Sequence, residues 1–192
     1  MQTEDHYLLS KKMMGCLKLG RSRKAAFSFG NIEPDFNRFS YMGRKKEHFG
    51  NGHSYQCRKK EIFVFFQKPY EDSILWWYRA GKAFHYLTDS FSRPHNPEFR
   101  YKSAAHIKYE IELHDLTKRV MQNSFWEIPR IEGDLMPWLE QRHRQYMGRT
   151  KGIKDDCYYI YTTVMAVWNW VMEHKLNKSG FQIPGGSVLL GA

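Results

Sequence analysis

The chain has 192 residues, enough for one domain, read here as residues 1–192. An apolar share of 42% and an aromatic share of 16% argue against a disordered chain. The 30 Lys and Arg against 20 Asp and Glu give a formal charge of +10. That charge favours anionic partners without choosing among nucleic acid, phosphate esters and an acidic membrane face. Three widely spaced cysteines, Cys16, Cys57 and Cys157, form no CxxC and argue against a disulfide framework. No run approaches the ~20 apolar residues of a membrane span. The opening "MQTEDHYLLSKKMMG" lacks the features of a secretory signal. The sequence therefore reads as cytoplasmic, or as secreted if a leader was removed before this numbering.

Residues 4–17 place Tyr7, Leu8, Met14 and Leu17 roughly on one helical face. Residues 20–34 run into "GNIEP", where Gly30 and Pro34 read as breakers and put Asp35 in a turn or at a helix start. Residues 37–52 are basic and Gly-rich, a loop. From His53 to Gln67 the signals conflict, since "EIFVFF" has strand composition between flanks that read as helix, and Pro69 ends the element. Glu71–Phe91 is a long helical candidate with Ile74, Leu75, Tyr78, Phe84 and Leu87 as core positions. "SRPHNPEF" is a break, and Lys102–Gln122 is the next helix. After the loop "EIPRIEGD", Leu135–Met147 and Asp155–Leu176 make two more helices, followed by an irregular tail, "GFQIPGGSVLLGA". Helices of this length joined by Pro/Gly loops predict an all-α, multi-helix domain.

The chemistry concentrates in "GKAFHYLTDSFSRPHN", residues 81–96. His85 and Asp89 are four residues apart, so a helix puts both on one face. His106 and Glu110 repeat that spacing on the following helix, and His95 lies on the connection. Imidazole and carboxylate are ordinary zinc ligands, and a pair at this spacing can grip one cation from a rigid platform. A single such pair is commonly only a surface contact, but two pairs flanking a loop histidine point to metal. Asp35, His53 and His6 are further candidates. His48, His114, His143 and His174 show no such pattern.

The run His53, His85-xxx-Asp89-xxxxx-His95, His106-xxx-Glu110, preceded by Pro34-Asp35, resembles the bacterial zinc-dependent phospholipase C family. The "GNIEPD" segment resembles that family's turn carrying a metal-binding Asp. The resemblance covers about residues 4–115 and implies an all-α enzyme that uses zinc to hydrolyse a phosphodiester of a phospholipid headgroup. It also implies that Asp35, His53, His85 and Asp89 hold one zinc and that His95, His106 and Glu110 hold a second. A third would use His6, Asp89 as a bridge, and the α-amino group of an N-terminal Trp, a residue that is Met1 in this chain. By the same analogy Asp35 is the catalytic base. The residue types suit that chemistry independently: clustered divalent ions neutralise phosphoryl charge and lower the pKa of bound water toward ~7. No GxSxG nucleophile motif occurs.

Single-strand-specific zinc nucleases use the same architecture, but their second pair is typically His-xxx-Asp and lies further from the loop histidine. The basic clusters "KLGRSRK", "GRKK", "CRKK" and "RHRQYMGRTKGIK" would suit nucleic acid or simply form a solvated basic surface. Trp76, Trp77, Tyr78 and Phe84 can stack on a base, line a headgroup pocket or fill the core. Structural or degenerate zinc sites are the non-enzymatic alternative. The expected partner is a phospholipid or other phosphodiester, with peripheral membrane contact.

Overall fold

The computed structural model describes residues 1–15, 17–37, 52–96, 98, 103–123 and 126–177. Cys16, His48, the "GRKK" cluster, most of the 37–52 loop and the "GFQIPGGSVLLGA" tail lie outside the described residues. Among the described residues there are seven α-helices and no strand: α1 (Thr3–Gly15), α2 (Arg21–Phe36), α3 (Tyr55–Gln67), α4 (Ile74–Asp89), α5 (Ser103–Asn123), α6 (Leu135–Arg149) and α7 (Ile153–Val171). A short 3-10 turn covers Arg93–His95, and a π-helical turn, Met172–Leu176, extends α7. No described helix is long and apolar enough to cross a membrane.

Local chemistry sets the helix starts. Ser54 caps α3 by accepting the Cys57 N–H at 3.4 Å, and Ser73 caps α4 by accepting the Trp76 N–H at 3.0 Å. The "EIFVFF" run is therefore helical despite its strand composition, because a cap precedes it and Ile62, Phe65 and Phe66 share the buried face. α1 begins with Asp5 reaching back to the Gln2 N–H at 3.2 Å.

Gly30 and Pro34 do not break the second helix as the sequence reading expects; α2 runs through both. Pro34 lies in the last turns, where its missing N–H forfeits only the bond to the Gly30 carbonyl. Gly30 has a packing role. A Cβ on it would lie 2.0 Å from the Tyr78 carbonyl oxygen of α4, and one on Gly81 would lie 2.1 Å from the Phe27 carbonyl oxygen of α2. The two glycines face each other at a crossing too close for any side chain.

The core is aromatic. Phe27 of α2, Trp77 and Phe84 of α4 and Trp168 of α7 are fully buried, and Phe27 lies 5.6 to 6.3 Å, ring centre to ring centre, from the other three. Trp76, Trp77 and Phe84 thus fill the core rather than line a pocket, and Tyr78 is half-buried against Phe29. Two core expectations fail in part. On α1 Leu9 and Met13 are buried with Met14, while Tyr7 is exposed; on α4 Phe84 and Leu87 are buried, while Ile74 and Leu75 are exposed. The buried face of α1 is shifted by about one residue from the expected one, whereas Ile74 and Leu75 open α4 ahead of its first buried residues, Trp76 and Trp77.

Candidate metal centre

Asp89 ends α4 with 1% of its surface exposed and nitrogen atoms around both oxygens. Oδ1 lies 3.2 Å from His6 Nε2, 3.5 Å from His95 Nε2 and 3.5 Å from the Met1 amine. Oδ2 lies 2.8 Å from His53 Nδ1 and 3.2 Å from His85 Nε2. Burial would raise the Asp89 carboxyl pKa, but His95, the Met1 ammonium, His85 and His6 hold it well below the usual carboxylate range.

Four triads bring ligand atoms within 4.8 Å of one another: His6/His85/Asp89, Asp35/His53/His85, His53/Asp89/His95 and His95/His106/Glu110. Every candidate residue from the sequence falls in at least one of them. His106 and Glu110 pair at 3.2 Å on α5, and Glu110 lies 3.8 Å from His95. The Met1 nitrogen sits nearer that end of the cluster, 3.1 Å from Glu110 and 3.2 Å from His95. Burial disfavours its charge, yet Asp89, Glu110 and Asp35 raise it to about 10. Burial lowers His95 to about 3.

The surrounding helices aim these groups. His85 Nδ1 is 2.9 Å from the Asn31 backbone oxygen, which can only accept, so Nδ1 carries the proton and Nε2 presents its lone pair to the cluster. The Asn31 side chain donates to the His6 backbone oxygen at 3.0 Å, so one residue of α2 fixes both α1 and α4. Thr3 donates to Asp35 Oδ2 at 2.8 Å. The His95 turn is pinned by Asp156 of α7, which accepts the Arg93 N–H at 2.7 Å and the Tyr109 hydroxyl of α5. Asn96 binds the Ser90 and Ser92 carbonyls and fastens the same turn. An open pocket of about 530 Å³ exposes the cluster along Met1, Thr3, Asp35, His95, His106 and Glu110.

The sequence reading missed Asn31, Asp156 and the Asp5–His114 pair. His114 does have acidic partners, Asp5 at 2.6 Å and Glu4 at 3.5 Å, which tie α5 to α1. Neither lies on its own helix, so spacing within one helix carried no signal. His143 donates to the Ser90 carbonyl at 3.1 Å, and His174 stacks on Trp170. Several cations of the basic clusters are engaged: Arg23 with Asp72, Arg58 with Glu61 and Lys59 with Glu140. Cys57 and Cys157 are free thiols.

A divalent metal fits this arrangement on its own evidence. Both ring nitrogens of the fully buried His6 lack a hydrogen-bond partner, and the donor set is all imidazole nitrogen and carboxylate oxygen. The fold and the cluster define an all-α protein with a buried histidine–carboxylate cluster suited to holding metal. The sequence pattern of the zinc-dependent phospholipase C family matches residues 6–153, and the chain belongs to that family. No curated protein and no solved structure matches the chain.

Proposed function

We propose that the chain, acting as one domain, hydrolyses the phosphodiester of a phospholipid headgroup. Asp35, His53, His85 and Asp89 hold one zinc ion, and His95, His106 and Glu110 hold a second. His6 and Asp89 serve a third beside the Met1 amine. The observation that carries this reading is the buried Asp89 carboxylate, with four histidines and the Met1 amine within 2.8 to 3.5 Å of its two oxygens. When bound, the ions supply positive charge for the diester oxygens and acidify a water.

The chain's own residues do the rest. Asn31 keeps the His85 proton on Nδ1, away from the cluster. Thr3 fixes the plane of Asp35, a carboxylate at the pocket wall that takes a proton from the attacking water. The water oxygen bonds to phosphorus as the bond from phosphorus to the glycerol oxygen breaks, and solvent protonates that oxygen. Substrate reaches the pocket by peripheral contact with a lipid surface.

The test is elemental analysis of protein purified without chelator, followed by release of phosphorylated headgroup from phosphatidylcholine in mixed micelles. At least two zinc ions per chain and chelator-sensitive release are expected. A folded, stable, metal-free chain refutes the metal assignment. Cleavage of single-stranded DNA without headgroup release replaces the substrate.

A further inference from the structure

The "CRKK" cluster opens α3, shortly after the candidate ligand His53, and the proposed chemistry leaves it unused. Beside it lies an open groove of about 310 Å³ between α3 and α4. Val64, Phe65 and Ala83 supply its apolar lining, and Lys60, Lys68, Arg79 and Lys82 its cations. The apolar character continues beyond the groove. Val64 is 42% exposed, Leu75 52%, Ile74 58% and Phe29 56%. On α4, Leu75, Arg79, Ala83 and Lys82 follow one another at helical spacing along one stripe. Phe29 joins that stripe by stacking on Tyr78 at 6.0 Å.

Part of the positive charge on this face is uncompensated. Glu61, the acid in the groove lining, holds Arg58 at 2.9 Å, and Glu33 holds Lys82 at 3.1 Å. Among the described residues no acid pairs with Lys60, Lys68 or Arg79. Exposed aliphatic and aromatic side chains bordered by free Lys and Arg form the pattern of an interfacial surface. Apolar groups enter the headgroup boundary while cations meet anionic lipid. Single-stranded nucleic acid would need exposed rings for stacking, and three of the four exposed apolar residues here are aliphatic.

We propose that the α3–α4 face, with Lys60, Lys68 and Arg79 around Val64 and Leu75, is a docking surface for an anionic lipid bilayer. It uses none of the candidate ligands, although Tyr86 of the groove lining packs edge-on against His53 and His85. Docking does not require turnover, so it stands or falls apart from the proposed hydrolysis.

Co-sedimentation of the full chain with vesicles tests it, using phosphatidylcholine alone and phosphatidylcholine with a minority of phosphatidylglycerol. The chain pellets with the anionic vesicles, and added salt weakens the partition. Each surface cation contributes about fivefold, so the Lys60→Glu/Arg79→Glu pair lowers partition at least tenfold. Val64→Asp/Leu75→Asp lowers it at low salt as well. Arg144→Glu, an exposed cation on α6, leaves it unchanged, and thermal melts establish that each variant folds. Unchanged pelleting of both double variants overturns the proposal. An equal loss with Arg144→Glu does so too, because diffuse charge then explains binding. Equal pelleting with neutral vesicles, or capture of a single-stranded oligonucleotide in place of vesicles, also overturns it.

Discussion

Gly81→Ala tests whether the α2–α4 crossing holds the cluster together. The added methyl would sit 2.1 Å from the Phe27 carbonyl oxygen, about 1.3 Å inside the 3.4 Å at which ordinary contact begins. It would also lie 2.8 Å from the Asn31 nitrogen. Backbone atoms cannot swing aside as a lysine tip can, so the helices must separate. Overpacking of this kind costs about 1–3 kcal/mol or more, against the roughly 1 kcal/mol that alanine gains over glycine within a helix. A net loss of about 2 kcal/mol lowers the melting temperature by roughly 4–8 °C in a chain of this size. Separation also moves Asn31, which holds His85 and His6, so bound zinc should fall with stability. Gly148→Ala is the contrast: it lies within α6, nothing stands within 4 Å of its Cβ, and it should stabilise. Differential scanning calorimetry with metal analysis reads both. A Gly81→Ala protein that melts at or above the parent and keeps its zinc refutes the reasoning.

Asp35→Asn should cut turnover by ~10²–10⁴-fold while metal stays bound, because an amide oxygen can coordinate but cannot take a proton at neutral pH; near-normal turnover with full metal removes Asp35 as the base. Residues added before Met1 would draw the amine away from Glu110 and His95, now at 3.1 and 3.2 Å. Such an extension should lower zinc content by one ion and reduce activity, whereas a C-terminal tag should do neither. Equal zinc and turnover in both would mean the amine is no ligand. Burial depresses His143 to about 4, partly opposed by the Ser90 carbonyl. The unfolded chain therefore binds this proton more readily, and the contribution, up to about 3 kcal/mol, is complete above ~6.5 and lost as pH falls toward 4. Melts of His143→Gln across that window should show a flatter profile than the parent, and parallel profiles would refute the assignment.

Much of the cluster was legible because its key pairs are local. His85/Asp89 and His106/Glu110 share helix faces by spacing alone, and the fold class followed from helix lengths and Pro/Gly loops. What spacing could not convey was helix-to-helix register. Gly30 read as a breaker because a glycine's lack of a side chain suits a turn and a close crossing equally, and only the partner Gly81 separates the two. Reading α2 as broken also hid Asn31, which sits four residues before Asp35 and shares its face once the helix is continuous. Asp5 and His114 lie on α1 and α5, and Asp156 holds the His95 turn from α7, so their partners are remote in sequence. Ile74 and Leu75 were misread as core because hydrophobicity alone does not say whether an apolar face meets protein or something else.

The depressed Asp89 pKa and the raised Met1 pKa have one electrostatic origin. Asp89 is buried at the meeting of α1, α4 and the His95 turn, with Glu110 and Asp35 nearby. Carboxylates gathered away from water repel one another and lose hydration, so their ionised forms persist only with positive charge among them. Burial holds His6 and His95 below their ordinary pKa, which limits the positive charge they lend to Asp89. The Met1 ammonium supplies one charge, at the Glu110 end. His85 Nε2 presents a nitrogen lone pair to Asp89 instead, and on His6 both ring nitrogens lack a hydrogen-bond partner. A cation accepting those lone pairs would satisfy the orphaned nitrogens and the buried carboxylate at once. This is the physical reason a divalent metal suits the cluster better than a proton does.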